Sequence, residues 1–297
     1  MAQGTQSPAA EPPAPESAAT GASPRRDRGR LTTLLIVGSL SGLAPLSIDF
    51  YLPGLPHLTA DLGASASTGQ LTLTACLLGI AVSQIFAGSL SDTLGRRRLV
   101  LVGLLAYMAA SLLCAVASSI WMLIAFRLIQ GAACGIGFVV ARAIVRDIYS
   151  GNEAARIFAL LVLISGVAPV LAPLLGGQVL LLTSWRGIFV VLVVFSASML
   201  AVSTLRLRET LPAHLRHEPG VAAKIQVFKS LLVDRRFVPY ATSGSLAFAA
   251  MFAYISGSPF VLENIYKLSP QIYGVVFGVN SAGIVILSQV SRRLVER

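Results

Sequence analysis

The sequence predicts an all-α membrane protein, and three observations carry that prediction. Hydrophobic residues fill 55% of the 297 positions and charged residues only 12%, too little polar surface to cover one water-soluble core of that length. Eight apolar segments approach the roughly 20 residues that a helix rising about 1.5 Å per residue needs to cross a ~30 Å hydrocarbon layer. Twenty of the 23 Lys and Arg residues fall on one side of those segments, as the positive-inside rule requires of cytoplasmic loops.

The elements follow in order. Residues 1–30 read as a disordered cytoplasmic tail, rich in Pro, Ala, Ser and Gly and ending in Arg25, Arg26, Arg28 and Arg30. The run after them is too long for a cleaved signal peptide and reads as a retained membrane anchor. Spans are expected at about Leu31–Leu52, Gln70–Leu90, Leu99–Ala117, Ile120–Ala141, Arg156–Leu182, Arg186–Leu205, Phe237–Phe260 and Ile272–Val290. This divides the chain into a six-helix half (31–205), a basic cytoplasmic linker (206–236) and two further helices (237–297). Within the linker, Val221, Ile225, Phe228, Leu231 and Leu232 recur at helical spacing among Lys224, Lys229, Arg235 and Arg236, which predicts an amphipathic helix lying on the membrane.

Only Arg186 and Lys267 fall on the opposite side, so the net charge of +10 follows from topology and calls for no nucleic-acid partner. Cys76, Cys114 and Cys134 lie inside apolar runs without metal-ligand spacing and read as packing residues. His57, His214 and His217 are expected in loops, without a nucleophile or metal partner, so neither an enzyme nor a metal site is expected.

Two ionisable residues stand out inside spans. Asp49 lies in "APLSIDFYLPGLP", flanked by Pro45, Pro53 and Pro56, and Arg127 lies in "FRLIQGAACGIG" with Gln130 and Gly131 on its own face. An embedded charge costs at least ~2.5 kcal/mol unless paired or solvated. Asp49 is therefore read either as a carboxyl that exchanges protons while substrate binds and leaves, or as a helix cap in the headgroup region. Arg127 is read as its fixed counter-charge in a shared cavity, or as a structural anchor on backbone carbonyls. Gly131 and Gly135 form a GxxxG surface for close helix contact. In the fifth span, "GVAPVLAPLLGG" places Gly166, Pro169, Pro173, Gly176 and Gly177 mostly along one stripe, a packing seam with a bend.

Between the second and third spans, "GSLSDTLGRRRLVL" forms a charged hairpin. Gly88 is expected to allow tight packing, Gly95 to reverse the chain, and Arg96, Arg97 and Arg98 to hold the loop inside. Asp92 follows a helix C-terminus, where a negative charge is unfavourable, so it requires a partner. Arg96, Arg142, Arg146 and Asp147 are the candidates for a small network with it.

Taken together these motifs resemble the major facilitator superfamily, and within it the drug:proton antiporters of the Bcr/CflA (bicyclomycin and chloramphenicol resistance) type. The hairpin resembles the superfamily's loop signature at Gly88, Asp92, Gly95, Arg96 and Arg97, "RLIQG" its fourth-helix motif, and "GVAPVLAPLLGG" its antiporter motif. "IDFYLPGLP" resembles the subfamily's first-helix ending, where the acidic position is used in substrate or proton coupling. The resemblance implies a twelve-helix fold, about eight of which this chain holds, and hence a truncated or partial product.

It also implies export of amphipathic drug-like molecules across a bacterial inner membrane, driven by the proton gradient without a cofactor, by a monomer with a cytoplasmic N-terminus. Asp49, Arg127 and Gln130 would couple substrate to protons, and Asp92 would latch the cytoplasmic face. Related exporters carry a second acid in the first helix, and here Asp49 stands alone. A sugar or nucleoside exporter and a non-transporting, partner-binding membrane protein are the alternatives.

Overall fold

A computed structural model describes residues 24–216, 226 and 229–295. Apart from helical residues of the linker at 226 and 229–232, the α-helices among them are α1 (Pro24–Asp49), α2 (Leu55–Asp61), α3 (Ala66–Leu94), α4 (Arg96–Ala115), α5 (Ile120–Ile148), α6 (Gly151–Leu182), α7 (Trp185–Arg206), α8 (Phe237–Pro259) and α9 (Pro270–Val295). Eight stretches are long and apolar enough to cross a membrane, the first running from Leu31 through α2 to Asp61. The molecule is thus an all-helical membrane bundle. Leu78, Ile85, Phe86, Trp121, Leu163 and Leu246 are exposed on its flanks, as expected where hydrocarbon rather than water is the solvent.

Local chemistry sets the ends of the helices. The Ser65 hydroxyl accepts from the Thr68 N–H and the Ser119 hydroxyl from the Met122 N–H, capping α3 and α5. Gly95, at φ +88, reverses the chain between α3 and α4, a conformation that favours glycine. Most helices outrun the expected spans because their polar ends continue past the apolar run: α1 begins at Pro24 rather than Leu31, and α5 continues to Ile148 rather than Ala141. His57 lies exposed within α2, where a loop was expected, because Pro56 sits at the start of that short helix. Most of the expected amphipathic linker helix, His217, and residues 1–23 of the expected tail lie outside the described residues.

Small residues determine which helices meet. A Cβ on Gly131 would overlap the Cys76 carbonyl, one on Gly79 the Leu128 carbonyl, and one on Gly135 the Ser83 hydroxyl, so α3 and α5 pack backbone to backbone. Cys76, Cys114 and Cys134 are buried free thiols in this packing. α1 sits against α5, α6 and α7. The last two spans join the first six chiefly through α6 and α9, where a Cβ on Gly177 would come within 2.9 Å of the Pro270 carbonyl, one on Gly274 within 2.6 Å of the Pro173 carbonyl, and one on Gly278 within 3.0 Å of the Val170 carbonyl. Pro173 and Gly177 were expected in a seam. Gly274 and Gly278 supply the opposing GxxxG surface, a pattern that was equally readable.

Candidate functional site

Between the first six spans and the last two lies a cavity of about 510 Å³. Pro45, Ile48 and Asp49 of α1, Leu77 and Gln84 of α3, Phe138 of α5, Ser165, Gly166 and Pro169 of α6, and residues of α8 and α9 form its wall. The lining is mostly apolar and aromatic, including Phe248, Phe252, Tyr254 and Phe277. Its polar groups are few: Asp49, Gln84, Ser165, Asn280, Ser281 and the Tyr254 hydroxyl, to which the Asn280 side-chain amide donates at 2.9 Å. The size and the sparse polar points match a pocket for a drug-sized molecule.

Asp49 is the last residue of α1 and 5% exposed. It is the one acidic or basic side chain in the lining among the described residues. The helix stops there because the chain turns through Phe50 and Tyr51 into a 3-10 turn at Leu52–Gly54. Gly176 permits this turn, since a Cβ there would overlap the Phe50 carbonyl. The glycine and proline stripe of α6 therefore does three things: Gly166 and Pro169 face the cavity, Gly176 receives the end of α1, and Pro173 and Gly177 meet α9.

Arg127 and Gln130 do not line this cavity; of the two readings of Arg127, its geometry is that of the anchor on a backbone carbonyl. Both are wholly buried inside the first six spans. Arg127 Nη1 donates to the Ser47 carbonyl at 2.9 Å and to Gln130 Oε1 at 2.6 Å. Gln130 Nε2 donates to Ser111 Oγ at 2.7 Å, Ser111 Oγ donates to the Tyr107 carbonyl at 2.7 Å, and the Tyr107 and Ser47 hydroxyls share a 2.7 Å bond. The result is a closed polar ring joining α1, α4 and α5. Tyr51 and Phe189 present their rings to the guanidinium at 4.8 and 5.8 Å from its carbon, which offsets part of the cost of burying it. α5 turns Arg127 toward the Ser47 carbonyl of α1 and away from the cavity.

The charged hairpin forms a second constellation. Arg96 donates to Asp92 at 2.6 Å and to Asp147 at 2.9 Å, and also bonds the Ser91 hydroxyl. Two expected members are elsewhere: Arg142 stacks on the Phe138 ring at 4.0 Å and Arg146 is exposed. Glu209 was missed from sequence. Its carboxylate accepts the backbone N–H groups of Arg96 at 2.8 Å and Arg97 at 3.3 Å, capping α4 from beyond α7, while the Arg97 side chain donates to the Thr204 carbonyl at 2.8 Å. Gly88 does not pack tightly: nothing lies within 4 Å of where its Cβ would be.

At the opposite end, Gln70 donates to the Ser256 carbonyl at 3.3 Å and Gln271 to the Gly177 carbonyl at 2.8 Å, tying the first six spans to the last two. The structure also buries an acid that was not singled out from sequence, Glu263, near the end of the seventh span.

A family model described as Major Facilitator Superfamily matches residues 37–297. The chain is 42% identical over 258 residues to an uncharacterized MFS-type transporter, YdgK, of Bacillus subtilis (strain 168), covering 86% of this chain and 64% of the relative. It is 32% identical over 255 residues to the multidrug resistance protein MdtL of Salmonella schwarzengrund (strain CVM19633), with the same two coverages. The chain thus spans just under two thirds of the length of these curated relatives. A bacterial homolog of the human lysosomal transporter Spinster, solved inward-facing and unoccupied, shares the fold at a TM-score of 0.63 and 20% identity, over 87% of this chain and 60% of that one.

Proposed function

Because the chain belongs to the major facilitator superfamily, a family of transporters rather than enzymes, we propose that it carries the substrate cavity of a proton-coupled drug exporter. In this reading it is an antiporter of the Bcr/CflA type in a bacterial inner membrane, with the arginine-rich end of the bundle cytoplasmic. Its similarity to a multidrug resistance protein supports the reading. The observation that carries it is Asp49, an isolated carboxyl in an otherwise apolar and aromatic chamber.

A lone carboxylate in such surroundings bears a desolvation cost that either a proton or a cationic substrate removes. Proton and substrate then compete for one group. With the cavity open outward, a proton displaces the substrate, and with it open inward the proton leaves and a new substrate binds. The proton gradient supplies the energy, and no cofactor is required. Arg127 acts at a distance, holding the end of α1 in place through the Ser47 carbonyl. Asp92, Arg96 and Asp147 would help close the cytoplasmic face.

A sugar or nucleoside exporter shares the scaffold but needs many hydrogen-bonding groups around its substrate. The few polar groups of this lining favour an amphipathic, drug-like molecule instead. The test is uptake of a lipophilic cation into inside-out vesicles under an imposed pH gradient. Asp49→Asn is expected to abolish gradient-driven uptake, and persistence of that uptake would rule out the coupling role.

A further inference from the structure

We infer that Glu263 is a second proton-binding carboxyl of this protein, placed at the end of the bundle remote from the arginine-rich hairpin. As a part of transport coupling it rests on the exporter reading above. As a protonation site it stands on its own geometry.

α8 does not end as an ordinary helix. Residues Phe260–Ile265 form a wide π turn, closed by the Tyr266 N–H on the Val261 carbonyl at 3.1 Å, and the Leu268 N–H reaches the Leu262 carbonyl at 3.0 Å. Pro259 just before it lacks an N–H, and Lys267 just after it adopts φ 58, in the left-handed region. Such turns cost regular hydrogen bonding and recur at functional sites. Here the turn places Glu263 inside the protein, 8% exposed, with Oε1 lacking any hydrogen-bond partner among the described residues.

Among the described residues no cation pairs with it. The turn packs against α2, α8 and α9. On α2, His57 is exposed and Asp61 is held by Trp185 at 2.9 Å and Arg186 at 2.6 Å. On α8, the Tyr254 hydroxyl takes the Asn280 amide. Tyr266 and Lys267 follow the turn and are exposed. Tyr273 of α9 is wholly buried and shares a 3.1 Å bond with the Ser258 hydroxyl. A buried carboxyl with no cationic partner sheds its charge most cheaply by taking a proton.

The position fits a proton carrier. Glu263 lies toward the end of the bundle where Gln70 bonds Ser256 and Gln271 bonds Gly177, the side from which protons would enter an exporter. Two embedded carboxyls would then be available, although the first span carries only one.

The experiment is infrared difference spectroscopy of the full 297-residue chain in liposomes, following the carbonyl stretch of protonated buried carboxyls across a pH titration. Two components are expected: Glu263→Gln removes one, Asp49→Asn removes the other, and Glu263→Asp retains both. A Glu263→Gln spectrum unchanged from the parent overturns the inference. Gradient-driven uptake by the same vesicles separates the two readings. Uptake that survives Asp49→Asn defeats the exporter mechanism and leaves the Glu263 component intact, whereas an unchanged Glu263→Gln titration with Asp49-dependent uptake does the reverse.

Discussion

Arg127 Nη1 bonds the backbone carbonyl of Ser47 at 2.9 Å, two residues before Asp49 on the same helix. The arginine therefore fixes the segment that carries the carboxyl without neutralising the carboxyl itself. A paired Asp49 would be a permanent structural ion pair; an unpaired one can exchange its charge with whatever enters the cavity.

Replacing Arg127 by methionine should destabilise the bundle. The Ser47 carbonyl and the Gln130 amide oxygen would lose a charged donor at a wholly buried site, at a cost of about 3 kcal/mol or more. Thermal unfolding of purified protein in detergent should show a large drop in midpoint. Arg127→Lys should fall between, since an ammonium keeps the charge but not the planar reach of the guanidinium.

Gly131 and Gly88 should respond in opposite ways to a side chain. Gly131→Val drives a branched Cβ into the Cys76 carbonyl across the α3–α5 contact, and overpacking of this kind costs about 1–3 kcal/mol. Gly88→Ala meets nothing within 4 Å and improves helix propensity by up to about 1 kcal/mol. Parallel melting curves should therefore move down for the first and stay level or rise for the second.

These contrasts follow what was legible in the sequence. Asp49, the glycine stripes and the spans stand out because any charge or cluster of small residues is conspicuous in an apolar run. Which way Arg127 faces was not legible, because α5 is apolar around most of its circumference and no amphipathic face marks the cavity side. Glu263 escaped notice because "VLENIYKL" reads as an interfacial span end, and only the π turn carries its carboxyl inward. The Glu209 cap joins residues 113 positions apart, a pairing that no local pattern encodes.

Glu209→Ala should loosen the arginine-rich end. Its carboxylate satisfies two N–H groups at the start of α4, and removal of a helix cap costs about 0.5–2 kcal/mol. Hydrogen exchange should speed up at the first turn of α4 while the α3–α5 contact stays protected. Asp92→Asn should do less, because Asp147 still holds Arg96 at 2.9 Å and Asp92 is the more exposed partner.

Competition for Asp49 fixes the sign of the pH dependence of binding. If a lipophilic cation and a proton occupy the same carboxyl, each must displace the other, so the measured affinity for the cation falls as the pH falls. Over the pH range in which the carboxyl is mostly protonated, the apparent Kd should rise about tenfold per unit, one proton displaced per cation bound. Asp49→Asn carries no titratable group and should give weak binding that is flat with pH. A neutral analogue of the same shape should bind both proteins alike through the aromatic wall of Phe138, Phe248, Phe252 and Phe277. Fluorescence titrations of the two ligands across pH provide the measurement. A cation affinity that stays constant in the unmodified protein would place the substrate somewhere other than against Asp49.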